Sequence, residues 1–110
     1  MTIKYFARLC HCSAQTLRYY DRIGLLKPET VDPWTGYRHY TREQAVDFVK
    51  IKNLQAADFT IGEIKDLLHQ PEEAIYAAFD RKIKAQEQKL ARIKEIQQTY
   101  LREKHNMENL

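Results

Sequence analysis

Two segments of this chain combine basic and aromatic side chains, and a turn region separates them. The first runs from Leu17 to Pro28 and contains Arg18-Tyr19-Tyr20, and the second is Tyr37-Arg38-His39-Tyr40. Guanidinium groups pair with phosphate oxygens. Tyrosine hydroxyls can hydrogen-bond to the nucleic-acid backbone while the apolar ring is buried. These segments therefore predict nucleic-acid binding. No nucleophile–base pair, phosphate-binding loop or paired carboxylates occur at usable spacing, so we expect no enzymatic activity.

The charge distribution places a polyanion partner on the N-terminal third of the chain. The 110 residues carry a formal net charge of +3. Residues 1–42 contain seven Lys or Arg against three Asp or Glu, a balance of +4, so the remaining residues sum to −1. With 44% hydrophobic and 30% charged residues, the composition is that of a globular chain with room for one small domain and an extended element.

The same composition predicts a cytoplasmic protein without a metal or cofactor. No apolar run is long enough to span a membrane, and no secretory signal is visible. The only cysteines form Cys10-His11-Cys12, which with His39 could suggest zinc, but this spacing makes a poor tetrahedral site. We expect both cysteines to fill space in the core.

The first basic-aromatic segment needs two short helices to position it. Helical spacing of apolar residues predicts a helix over about residues 3–10. Ser13 is a suitable N-cap for a second helix over about 14–21, in which Leu17 and Tyr20 face inward and Tyr19 outward. Two such helices joined by a short turn form a helix-turn-helix.

The second segment belongs to a predicted β-hairpin, or wing. Gly24 ends the second helix and Pro28 prevents its resumption, so residues 27–31 and 37–40 read as strands around a Pro- and Gly-containing turn. Strand alternation sends Tyr37 and His39 to one face and Arg38 and Tyr40 to the other.

Three further helices are predicted after the wing. Capping boxes at Thr41 and Thr60 open helices over about 42–56 and 61–69. The apolar positions of the first are Ala45, Phe48, Val49, Ile51 and Leu54. From Glu72 to about Lys104 there is no Gly or Pro, which predicts one long helix. Its heptad seam consists of Tyr76, Phe79, Ile83, Gln86, Leu90, Ile93, Gln97 and Tyr100. A solitary helix of roughly 30 residues can bury such a seam only on a second copy, so we expect a homodimer.

These motifs, in this order, resemble the MerR family of bacterial transcription regulators over residues 3 to about 104. The matching residues are Ile3, Ala7, Ser13, Thr16, Leu17-Arg18-Tyr19-Tyr20-Asp21, Gly24-Leu25-Leu26-Lys27-Pro28, Gly36-Tyr37-Arg38, Tyr40, Ile64 and Leu67-Leu68. The resemblance implies a mainly α fold in which a winged helix-turn-helix, with four helices and a small hairpin, precedes a long antiparallel coiled-coil helix. We expect a DNA-binding domain over 1–70, a dimerisation helix over 71–105 and a tail over 106–110.

The resemblance also implies a function and its partners. A homodimer would place the second helix of each subunit in a major groove of double-stranded promoter DNA, with the wing on the adjacent backbone, and read an inverted repeat. Bending and untwisting of the promoter would then control transcription by RNA polymerase, usually under an effector that binds a C-terminal region. No residue pattern here identifies that effector.

The predicted DNA contacts divide into two groups. Arg18, Tyr19, Tyr37 and Arg38 are expected at phosphates, and Ser13, Ala14, Gln15 and Thr16 open the recognition helix. In that helix Gln15 could pair with adenine, Ala14 could touch a thymine methyl group, and Ser13 also caps. Tyr20 and Tyr40 are expected to pack. For Trp34, a contact with DNA and packing on the wing both remain open.

Departures from the family pattern narrow these expectations. His11 and Asp58 stand where glycines are usual, and both residue types tolerate a left-handed backbone better than branched residues do. No cysteine follows Cys12, which disfavours metal sensing of the family's kind. Only about six residues follow the predicted helix, so the chain is either part of a longer regulator or a short member without an effector region.

Two alternatives to a DNA-binding transcription regulator remain from the sequence. One is a protein-interaction or dimerisation module in which the long helix is the functional surface and the winged part docks another protein. The other is a zinc-dependent regulator. Binding to DNA that weakens steeply with salt would distinguish the regulator from the interaction module.

Overall fold

A computed structural model describes residues 1–109. Its elements in chain order are α1 (Ile3–Leu9), α2 (Ala14–Arg22), β1 (Thr30–Val31), β2 (Arg38–His39), α3 (Glu43–Ala56), α4 (Ile61–Leu67) and α5 (Glu72–Glu108). Two compact units result, one over residues 1–70 and one from residue 71 onward. The predicted fold class, a winged helix-turn-helix followed by a long helix, is confirmed.

Side-chain caps and a left-handed residue shape the helix-turn-helix. The Thr2 and Ser13 hydroxyl oxygens accept hydrogen bonds from the backbone N–H groups of Tyr5 and Thr16, which fixes the start of α1 and α2. Between the helices His11 has φ +55°, and in the turn after α3 Asp58 has φ +64°. Both positions where the sequence departs from the expected glycine are therefore left-handed, a conformation that costs most L-residues about 1–2 kcal/mol.

The core of the first unit confirms the predicted packing residues of α2 and the wing. The six largest fully buried side chains are Phe6, Leu17, Tyr40, Ile51, Leu54 and Ile64. Tyr40 stacks on Phe6 with ring centroids 4.5 Å apart. Tyr20 is buried, and its hydroxyl donates to Gln55 Oε1 at 2.9 Å. Val49 was predicted as a core position of α3, but it is 56% exposed because it lies on the outer side of the helix.

Hydrogen bonds hold the wing at its base and at its tip. Its strands are shorter than predicted and pair antiparallel, with Thr30 opposite His39 and Val31 opposite Arg38. At the base, Gln44 Oε1 accepts from the Thr41 backbone N–H at 3.1 Å, while the Gln44 side-chain amide donates to the Lys27 carbonyl oxygen. This buried amide joins the two ends of the wing to the first turn of α3.

The two predicted capping boxes have different outcomes. The box at Thr60 and Glu63 is complete and opens α4. At α3 only the Gln44 half of the box forms, and the N-cap residue is Arg42, which makes no side-chain cap bond. The Thr41 prediction is therefore half right, because Gln44 caps the Thr41 backbone N–H but α3 begins one residue later than a Thr41 N-cap requires.

Helix α5 contains 37 residues and ends at Glu108, four residues beyond the predicted end at Lys104. Residues 106–108, predicted as part of a tail, continue the helix, while Leu110 lies outside the described residues. Glu72 and Glu73 in the first turn and His105 in the last turn suit the helix dipole at each end. None of the described helices combines the length and apolarity that crossing a bilayer requires.

Candidate nucleic-acid interface

The outward face of α2 forms the first part of the candidate site. Since Leu17 and Tyr20 point into the core, the intervening Arg18 and Tyr19 point outward, and Tyr19 is 42% exposed. A shallow groove of about 680 Å³, called here the helix groove, runs along this face. It is lined by Ser13, Gln15, Thr16, Arg18, Tyr19 and Arg22.

Some polar side chains at the start of α2 are engaged in hydrogen bonds within the chain, and others are exposed. The Ser13 hydroxyl accepts from the Thr16 backbone N–H at 3.0 Å and lies 2.9 Å from the Thr16 hydroxyl. Ala14 is half-buried and does not line the groove, whereas Gln15 is exposed. The N-terminal turn of α2 therefore offers Gln15 as its most available polar side chain.

A second groove lies between the start of α1 and the wing. This wing groove, about 320 Å³, is lined by Thr2, Ile3, Lys4, Arg18, Gly36, Tyr37 and Arg38. Arg18 lines both grooves. The structure thus brings together residues that the sequence predicted separately on the helix and on the wing, with an arginine at their junction.

Five residues that line these grooves were not among the predicted contacts, namely Thr2, Ile3, Lys4, Arg22 and Gly36. Arg22 extends the helix groove, and its guanidinium carbon lies 5.6 Å from the centroid of the Tyr19 ring. Thr2 and Lys4 line the wing groove. The positive charge of the N-terminal third includes Lys4 and Arg22, but only the fold shows that they face these grooves.

Arg38 has an acidic partner that the sequence prediction did not identify. Its Nε donates to Asp21 Oδ2 at 2.8 Å, and both side chains are largely shielded, with 34% and 19% of their surface exposed. Lys27 Nζ lies 3.9 Å from the other carboxylate oxygen but is 71% exposed, so its attraction is screened by water. Arg38 is therefore tied to α2 while it also lines the wing groove.

Backbone hydrogen bonds to Asp32 close the wing tip, which presents two aromatic rings to solvent. Backbone N–H groups of Trp34 and Thr35 donate to Asp32 Oδ1 at 2.8 and 3.0 Å. These bonds, that of Thr35 first, lower the pKa of Asp32, so its carboxylate is charged at neutral pH. Trp34 is 94% exposed and Tyr37 70% exposed. The alternative in which Trp34 packs on the wing is not observed.

The two cysteines are half-buried rather than deep in the core. Burial, with a smaller contribution from Cys12, raises the pKa of Cys10 to about 11. Burial also raises the pKa of Cys12. Both thiols are therefore protonated at neutral pH. Within residues 1–109, no three His, Cys, Asp or Glu side chains gather at a point that could hold a metal ion.

The predicted dimerisation residues form an exposed row on α5. The exposed members are Tyr76, Ile83, Gln86, Leu90, Ile93, Gln97 and Tyr100, and Phe79 is half-buried. Ile96, Leu101 and Met107 are also exposed apolar side chains on this helix, and the heptad pattern did not include them. The apolar surface of α5 is thus wider than the predicted seam.

Comparisons with known proteins agree with the residue pattern. Residues 1–71 match the family model described as MerR HTH family regulatory protein. The chain is 33% identical over 93 residues to the Multidrug-efflux transporter 1 regulator of Bacillus subtilis, which covers 84% of this chain and 34% of that protein. It is 37% identical over 90 residues to the HTH-type transcriptional regulator SkgA of Caulobacter vibrioides, covering 82% and 33%. The chain spans about a third of the length of these relatives.

Solved structures show the same fold. MtaN, the N-terminus of the Bacillus subtilis multidrug transporter activator, superposes with a TM-score of 0.76 at 29% identity, over 93% of this chain and 95% of that one. EcmrR, in a cryo-EM structure of an EcmrR–DNA complex, superposes with a TM-score of 0.59 at 33% identity, over 89% and 38%. Because the family match covers more than half of the sequence, this chain belongs to the MerR family of helix-turn-helix regulatory proteins.

Proposed function

We propose that this chain binds an inverted-repeat operator in promoter DNA as a homodimer and controls transcription by distorting that DNA. The observation that carries the proposal is the position of Arg18, which lines both the helix groove and the wing groove. A single guanidinium at this junction can bridge the DNA segments met by the helix and by the wing. The chain acts by binding rather than by catalysis.

In this proposal the predicted contact residues divide into two roles. Arg18, Tyr19, Tyr37 and Arg38 contact phosphates and position the protein on the duplex. Base edges are read from the N-terminal turn of α2, with Gln15 as the main reader and Ser13, Ala14 and Thr16 beside it. A Gln–adenine pair contributes roughly 1–3 kcal/mol of discrimination against other bases.

The homodimer follows from the exposed row on α5. Tyr76, Ile83, Leu90 and Ile93 are each more than half exposed, an arrangement that water disfavours and that a second α5 would cover. A dimer with two-fold symmetry presents two α2 helices to DNA in opposite senses, so its operator should be an inverted repeat. RNA polymerase at the same promoter is the proposed partner. The similar protein EcmrR supports this choice, because its complex with DNA was solved within EcmrR-RPo, an RNA polymerase complex.

Selection of binding sites tests this function directly. The purified chain is incubated with a pool of random-sequence duplexes, bound DNA is recovered and amplified over several rounds, and the enriched sequences are aligned. The proposal predicts enrichment of a motif with two-fold symmetry. A pool that stays unenriched would contradict DNA binding and favour the protein-interaction module, and an enriched motif without symmetry would contradict the homodimer.

A further inference from the structure

Asp21 occupies a position where an acidic residue is unfavourable for two reasons. It lies in the last turn of α2, where the helix dipole favours cations rather than anions. It is also next to the positively charged grooves, where a carboxylate would repel DNA phosphates. A residue that weakens both the helix and the proposed binding needs a compensating role.

The ion pair with Arg38 supplies that role. Asp21 and Arg38 are 17 residues apart in sequence, and their 2.8 Å hydrogen bond joins α2 to β2. Arg38 of β2 also lines the wing groove. Shielding from water strengthens this pair relative to an exposed one. The Nε–carboxylate bond uses one of the five N–H donors of a guanidinium, which leaves the fork of Arg38 with further donors for a phosphate.

Other wing contacts hold different parts of it to different elements. Tyr40, which follows β2, stacks on Phe6 of α1. Gln44 joins the base of the wing to α3. The Asp21–Arg38 pair is the contact among these three that fixes the wing to α2 itself.

We infer that Asp21 is a positioning residue for DNA binding, one that holds Arg38 and thereby fixes the wing in the arrangement that meets DNA together with α2. The inference rests on the proposed function. A wing that is already fixed loses less conformational freedom when it binds, so the pair raises affinity without touching DNA.

The sign of the effect of Asp21→Asn distinguishes this role from simple electrostatics. If Asp21 were only a negative charge near DNA, its removal would strengthen binding. We expect Asp21→Asn to weaken binding to the enriched duplex roughly three- to tenfold, the cost of ordering one or two side chains. The salt dependence should keep its slope, because no phosphate contact is removed. Glu29→Gln, which neutralises another acid of the N-terminal third, is the control and should not weaken binding.

A double substitution removes the ambiguity that a loss of folding would bring. In an Arg38→Ala background the ion pair is already absent, so Asp21→Asn should strengthen binding or leave it unchanged. This reversal of sign cannot arise from a general loss of stability, which would weaken both backgrounds. Stronger binding by Asp21→Asn alone, or equal weakening in both backgrounds, would overturn the inference.

Hydrogen exchange of the wing tests the ion pair without DNA. Amides of residues 30–39 should exchange faster in Asp21→Asn and in Arg38→Ala, while the amides of α4 keep their wild-type rates. Unchanged wing exchange would overturn the inference even if DNA binding weakened. If no duplex were bound by the wild-type chain, the proposed function would fail, and faster wing exchange would show that the pair still fixes the wing.

Discussion

The two units of this chain differ in whether their regularly spaced apolar residues are buried. In the first unit Phe6, Leu17, Ile51 and Ile64 are fully buried within some 70 residues. In α5, Ile83, Leu90 and Ile93 are each just over half exposed along the predicted seam. Both units carry regularly spaced apolar residues, but only the first closes a core with them.

This difference indicates what each unit needs in order to function. The first unit closes its own core, and its exposed groups include the basic, aromatic and polar side chains of the two grooves. The exposed groups of α5 include the apolar seam itself, which a second copy of the helix would cover. Substitutions in α5 should therefore act on assembly, and substitutions in the grooves should act on DNA affinity.

The largest effect is expected from Ile93→Asp. A charge in the seam removes two buried isoleucines from a symmetric dimer, and it should reduce the free energy of dimerisation by about 3–6 kcal/mol. Light scattering coupled to size-exclusion chromatography should show monomers at concentrations where the wild type is dimeric. Gln98→Asp, next to the seam on an exposed position, is the matched control and should remain dimeric. A dimeric Ile93→Asp variant would show that the pairing surface lies elsewhere.

A smaller effect, confined to DNA, is expected from Arg18→Ala. Loss of a charge-assisted phosphate contact should weaken binding by about 1.5–3 kcal/mol per subunit, equally for operator and random duplexes. The slope of log affinity against log salt should fall by about one per lost contact. Fluorescence anisotropy over a salt series measures both quantities, and light scattering should show an unchanged dimer. A loss limited to the operator would mean that Arg18 reads bases.

The smallest effect is expected from His11→Gly, which should stabilise the first unit. Glycine adopts the left-handed backbone of residue 11 without strain, but it loses more conformational entropy on folding than histidine does. The net gain in the free energy of unfolding should be about 0.5–1 kcal/mol. The same change at His105, in the last turn of α5, should not stabilise the chain, because the backbone there is already right-handed and glycine has a lower helix propensity. Urea denaturation followed by circular dichroism compares the two. Destabilisation by His11→Gly would show that the histidine makes a compensating contact.

Local patterns in the sequence predicted most of the fold. Ser13 and Thr60 mark helix starts because their hydroxyls reach backbone groups only three residues away. The left-handed turns at His11 and Asp58 were found through the glycines that the family usually has there. Such signals depend on neighbours in sequence or on the family resemblance, so they are readable without coordinates.

Long-range contacts explain what the sequence did not predict. Gln44 forms its half of the capping box and also donates to the carbonyl oxygen of Lys27, 17 residues earlier, a contact that the local pattern does not indicate. Arg38 was predicted only as a phosphate contact because nothing in its local sequence identifies Asp21 as its partner. For the same reason Lys4 and Arg22 counted toward the positive charge of the N-terminal third but could not be assigned to a groove.

The salt dependence of duplex binding tests the central claim most directly, since the two grooves are proposed to bind phosphates. The affinity of the wild-type chain for the enriched duplex is measured by fluorescence anisotropy across a series of salt concentrations. Contacts from Arg18, Arg38 and their counterparts in a second subunit predict a steep linear fall of log affinity with log salt, about 0.9 per neutralised phosphate. An affinity that does not change with salt would contradict DNA binding by these grooves and favour a protein-docking surface instead.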